Sequence, residues 1–125
     1  MGNRLRLAVG LSGAALVLLA LGLWIDPVDM GGLLGLAPEN ALGLATLRAD
    51  LGAVFATAGG LALAALWRRS PGLLLAPLVL LGLMLAGRVL AMALGPFDLL
   101  CLPPMAVEAA MLLVFTAAWW RWPKP

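Results

Sequence analysis

Polar residues are confined to short stretches of this chain, and between them lie four apolar runs, at residues 7–25, 41–67, 73–94 and 102–120. Each run is long enough to cross a hydrocarbon layer of about 30 Å, which takes roughly 20 helical residues. Backbone groups inside lipid have no water to bond, so the runs predict helices, whose hydrogen bonds are internal. Breakers stand between them: Asp26-Pro27, Pro38, Ser70-Pro71-Gly72, Gly95-Pro96 and Pro103-Pro104. Pro77 falls early in the third run as a candidate kink. The pattern predicts an all-α, up-down four-helix bundle integral to a membrane, with residues 1–125 as one domain. A cleaved signal peptide is the rival reading of the first run, through the weak Ala20-x-Gly22 site. Its length favours a retained span.

Charge in the connecting segments sorts by side. One side carries Arg4, Arg6, Arg68, Arg69, Arg121 and Lys124, and the other carries Asp26, Asp29, Glu39 and Asp98. Basic loops stay in the cytoplasm, so both termini are expected there. Trp67, Trp119, Trp120 and Trp122 mark the inner interface, and Trp24 marks the outer one. The longest connection, 26–40, is apolar and Gly-rich. A plain interfacial connector is the expected form, and a short helix or lid is the alternative.

Composition narrows the chemistry. The chain is 64% hydrophobic and 11% charged, against about 25% charged in a soluble domain. Histidine and tyrosine are absent and Cys101 stands alone. No metal site, cofactor or intrachain disulfide is expected. No basic patch with interleaved aromatics points to nucleic acid, and Cys101, without a neighbouring base, reads as an inert small residue.

Small residues suggest how the helices meet. Gly52, Ala56, Gly60 and Ala64 recur every four residues in the second run, a spacing that lets two helix backbones approach closely in lipid. The first run carries a weaker set, Gly10, Gly13 and Ala14. If that set faces lipid, it offers a surface to a protein partner or a second copy.

Four ionisable residues interrupt the apolar runs: Arg48, Asp50, Arg88 and Glu108. Their formal charges cancel. Arginine cannot shed its proton, and a lone charge at mid-bilayer costs several kcal/mol, so pairing is the natural remedy. At about 1.5 Å of rise per residue, all four fall in the outer half of the bilayer. The third and fourth helices, joined by a short loop, should be antiparallel neighbours, which favours Arg88 with Glu108 and Asp50 as a second acceptor. On a regular helix Arg48 and Asp50 point about 200° apart, toward different neighbours. Met84 and Met92 flank Arg88, and Met105 and Met111 flank Glu108, as candidate linings for an apolar ligand.

The RADLGAVFATAGG and GRVLAMALGPFD stretches, with the late Glu108, resemble the bacterial family catalogued as domain of unknown function 4345, over roughly residues 5–122. The matching positions are Arg48, Gly52, Gly87-Arg88 and Glu108, and Asp50 stands where that family often has an aromatic. The resemblance implies a small four-helix protein of the bacterial inner membrane and names no reaction. Small multidrug transporters, with their first-helix Glu and nearby Tyr, do not fit a first run without charge. The glutathione-using membrane enzymes of eicosanoid metabolism are echoed only by Arg48 and Asp50.

Two functional readings follow. The leading one is a non-enzymatic membrane protein, either an accessory subunit or a binder of a lipid-like ligand at the buried charges, with membrane lipid as its surroundings. The other is a small membrane isomerase or hydrolase of apolar substrates, with Asp50 or Glu108 as acid or base and Arg88 steadying an anion.

Overall fold

The computed structural model describes residues 1–123; Lys124 of the expected basic side lies outside the described residues. Those residues are about 85% helical and contain no strand. The helices are α1 (Asn3–Ile25), α2 (Pro27–Leu33), α3 (Ala41–Thr46), α4 (Gly52–Arg68), α5 (Leu75–Leu94) and α6 (Leu102–Trp120). A π-helical turn, Leu47–Leu51, joins α3 to α4 in one continuous helical stretch, Ala41–Arg68. A 3₁₀ turn, Pro71–Leu74, leads into α5, and another, Leu99–Cys101, leads into α6. Four stretches, Asn3–Ile25, Ala41–Arg68, Pro71–Leu94 and Leu99–Trp120, are long and apolar enough to cross a membrane. Each contains or nearly contains one of the four apolar runs.

Local chemistry sets the ends. The Asp26 carboxylate accepts from the Asp29 N–H at 3.2 Å and Pro27 occupies the first turn of α2. Asn40 caps α3 by accepting from the Gly43 N–H at 3.0 Å. Pro77 lies in the first turn of α5, where a missing N–H leaves no gap in the ladder. Arg69 closes α4 in the left-handed region, at φ 52°.

The most extensive packing is α1 on α4; α5 packs on α6, α6 returns to α1, and α5 touches α4 more lightly. The α1 seam is Val9, Gly13, Leu16, Ala20 and Leu23. The opposing α4 face is Gly52, Phe55, Ala58, Gly59, Ala62 and Ala65. The α1 seam steps by four and three residues in alternation, close to the 3.5-residue period of a two-helix seam. A strict four-residue stripe instead drifts about 40° per step. The stripe expected on α4 departs accordingly: Gly52 is buried, Ala56 and Ala64 are half-buried, and Gly60 has open space where a side chain would be. Gly59 makes the close approach. A methyl there would stand 2.5 Å from the Gly13 carbonyl oxygen and 2.8 Å from Val17. Gly13 of the first run is thus spent inside the molecule, against α4, rather than offered outward.

Outward-facing positions are apolar as well. Leu7, Leu11 and Leu18 of α1, Val79 and Leu83 of α5, and Leu113 of α6 are all exposed. The interior holds Phe115 and Ala118 of α6 with Leu74 and Leu81 from the α5 side.

The 26–40 connection is more than a plain connector. Met30 of α2 lies on Gly22, where a side chain would collide with its thioether at 2.8–3.1 Å, and Gly31 seats Leu47. Gly35, at φ 76°, turns the chain after α2. Leu34, at the end of α2, packs against the core of the bundle.

Candidate functional site

Arg88 and Glu108 meet as the sequence predicts. The Arg88 Nε–H donates to Oε1 and Oε2 of Glu108, both at 2.9 Å. The pair joins the last third of α5 to the second turn of α6. Its two members are unequally covered: the Glu108 side chain is 10% exposed and that of Arg88 is 32% exposed. This is the one ion pair among the described residues.

Only one of the five guanidinium N–H groups is used in this contact. The two terminal amino groups of Arg88 have no hydrogen-bond partner among the described residues, and they are not sealed from their surroundings. Arg88 and Glu108 both line a cavity of about 310 Å³. Its apolar wall comes from Leu16 and Leu19 of α1, Phe55 of α4, Met84 of α5 and Met111 of α6, with Leu34 arriving from the loop. Arg88 also borders a smaller cavity of about 90 Å³, with Met92, Phe97, Asp98 and Cys101.

The expected residues therefore divide. Met84 and Met111 line the main cavity, Met92 stands on the other side of Arg88, and Met105 is half-buried and lines neither. Arg48 and Asp50 are exposed and lie outside both cavities. Asp50 makes no ion pair with Arg88, so the expected second acceptor is absent among the described residues. The π-helical turn around it inserts an extra residue and breaks the regular 100° progression on which its direction was judged. Besides Glu108, the carboxylate that shares a cavity wall with Arg88 is Asp98, which accepts from the Leu100 N–H at 2.9 Å.

Arg48 has a different engagement. Its Nε–H donates to the Trp24 carbonyl at 3.1 Å, and the Trp24 indole N–H donates to the Arg48 carbonyl at 2.8 Å. Gly52 is required beneath this clasp, because a side chain there would collide with the indole nitrogen. The sequence placed Trp24 only at the outer interface and Leu34 only in a connector. No local spacing announces that residue 24 clasps residue 48, or that a loop leucine closes a cavity.

The lining offers no cluster of His, Cys, Asp or Glu able to hold a metal among the described residues. What the site presents is a neutral charge pair, four unmatched N–H donors and an apolar wall. Comparisons with protein-family models, curated proteins and solved structures give no match for this chain.

Proposed function

We propose that this chain is a multi-pass membrane protein of the domain of unknown function 4345 type, with its long helices alternating in direction and both termini cytoplasmic. In this reading it binds a lipid-like amphiphile between its helices. The observation that carries the proposal is the cavity of about 310 Å³ lined by the Arg88–Glu108 pair and otherwise apolar side chains, with Arg88 keeping unmatched N–H donors. That volume lies at the lower end of ligand sites, which run from about 300 to 1,000 Å³ and join an apolar lining to a few fixed polar groups.

Charge selects the headgroup. Arg88 and Glu108 together are formally neutral. A bound anion would sit close to the Glu108 charge, and a cation would be repelled by Arg88, at low effective dielectric. An uncharged acceptor, such as an ester, ketone or hydroxyl oxygen, takes the free N–H groups without either penalty. A single apolar chain then occupies the space between Leu16, Phe55 and Met111. Exposed leucines on the outer faces support the membrane reading, since a soluble monomer rarely shows so continuous an apolar surface.

The enzyme reading draws on Glu108, which borders the same cavity. Both of its oxygens are already occupied by Arg88, and Asp50 stands apart. Binding is therefore the better supported role.

The test uses the full chain in a nonionic detergent with three probes of equal chain length: a monoacylglycerol, the corresponding fatty acid and the alkane. Native mass spectrometry should show one monoacylglycerol retained at least about tenfold more tightly than the alkane, a margin one good hydrogen-bonded contact supplies. The fatty acid should bind more weakly than the monoacylglycerol. Equal retention of headed and headless probes would reject the site.

A further inference from the structure

A second cleft lies at the arginine-rich end of the molecule. It has a volume of about 230 Å³ and is lined by Met1, Arg6, Arg69, Trp122 and Pro123. Three separate parts of the chain build it: the start of α1, the residue that closes α4, and the segment after α6. The residues involved are thus far apart in sequence and close only in the fold.

Neither Arg6 nor Arg69 lies within salt-bridge distance of an acid among the described residues, and neither side chain donates a hydrogen bond there. Two exposed arginines without an acidic partner therefore border one space, together with a partly buried indole. Planar guanidinium groups match phosphate oxygens in pairs, and tryptophan favours the headgroup level of a bilayer. The backbone at Arg69 allows binding and folding to be separated experimentally. Arg69 sits at φ 52°, ψ 39°, where glycine is the favoured residue and a side chain costs stability.

We infer that the Arg6–Arg69–Trp122 cleft is a binding site for the phosphate headgroup of an anionic phospholipid. This rests on the membrane reading above and is independent of the Arg88–Glu108 cavity. The cleft differs in kind from that cavity: here the cations are uncompensated and favour an anion, whereas there the charges cancel and favour a neutral head. The arginine-rich side is also the expected cytoplasmic side, where anionic lipid attracts basic segments.

The experiment titrates the full detergent-solubilised chain with phosphatidylglycerol and phosphatidylcholine of identical acyl chains, read by native mass spectrometry. Glycerol 3-phosphate serves as the lipid-free phosphate. The expected result is preferential retention of one phosphatidylglycerol, with Arg6→Gln and Arg69→Gly each weakening it about tenfold, the share of one direct charge-assisted hydrogen-bonded contact. Arg69→Gly should do so with an unchanged or raised unfolding temperature, because glycine relieves the left-handed conformation; a merely structural arginine would not separate the two readouts in this way. Arg4→Gln and Arg121→Gln, at the same end but outside the cleft, should leave the preference intact. The inference is overturned if the two lipids bind equally, or if Arg4→Gln and Arg121→Gln weaken binding as much as the cleft variants. It is also overturned if glycerol 3-phosphate displaces phosphatidylglycerol at equal concentration, which would make the site one for free phosphate.

Discussion

Arg88 and Glu108 are an unequal pair: both Glu108 oxygens are bound and the side chain is almost covered, while a third of the Arg88 side chain stays open. Removing either partner therefore has different consequences from removing both. Arg88→Leu strands a buried carboxylate and should cost about 3 kcal/mol, within the usual range for a broken buried pair. The Arg88→Leu/Glu108→Leu double variant buries no charge and should unfold close to the wild type. Denaturant unfolding in detergent micelles checks this through a double-mutant cycle; equal stability of all four proteins would show that the ion pair contributes nothing. The partnership itself was legible in the sequence, because charge balance and helical rise bring residues 88 and 108 to one level. The exclusion of Asp50 was not. Its direction depends on the π-helical turn Leu47–Leu51, a change of winding that hydropathy does not encode.

At the scale of elements, the α1–α4 contact is held by backbone proximity at Gly13 and Gly59. Gly59→Val would force a branched side chain against the Gly13 carbonyl and Val17, and should destabilise by about 1–3 kcal/mol, the range for overpacking. Gly60→Ala meets nothing within 4 Å and should be neutral or up to about 1 kcal/mol stabilising, since alanine is the better helix former. Thermal unfolding of the two variants separates the observed seam from the stripe that includes Gly60. Sequence alone identified the right helix and the right kind of residue but placed the face about one residue away. Alanine and glycine are so frequent between residues 49 and 65 that several registers look alike, and only the partner helix decides among them. The loop illustrates the same limit. Asp26-Pro27 signalled the start of α2, whereas the place of Leu34 in the cavity wall depends on how α2 lies on the bundle, with Met30 on Gly22 and Leu47 on Gly31.

Taken whole, the molecule separates its chemistry along its length. Arg6 and Arg69 gather at one end with Trp122, and the Arg88–Glu108 pair lies beside the turn that contains Asp98. The sequence puts Arg6 and Arg69 in the basic group of connecting charges and Asp98 in the acidic group, and they line different cavities. The cavities were not anticipated, since they depend on how four helices and one loop leave space between them. Whether an amphiphile enters that space or merely coats the apolar exterior is therefore the decisive question. A monoacylglycerol carrying a diazirine on its acyl chain, photolysed with the full chain in lipid nanodiscs and mapped by peptide mass spectrometry, decides this directly. Adducts concentrated on Leu16, Phe55, Met84 and Met111, and lost in the Arg88→Leu/Glu108→Leu variant, are the predicted result. Adducts spread over Leu11, Val79, Leu83 and Leu113, with no change in that variant, would contradict it.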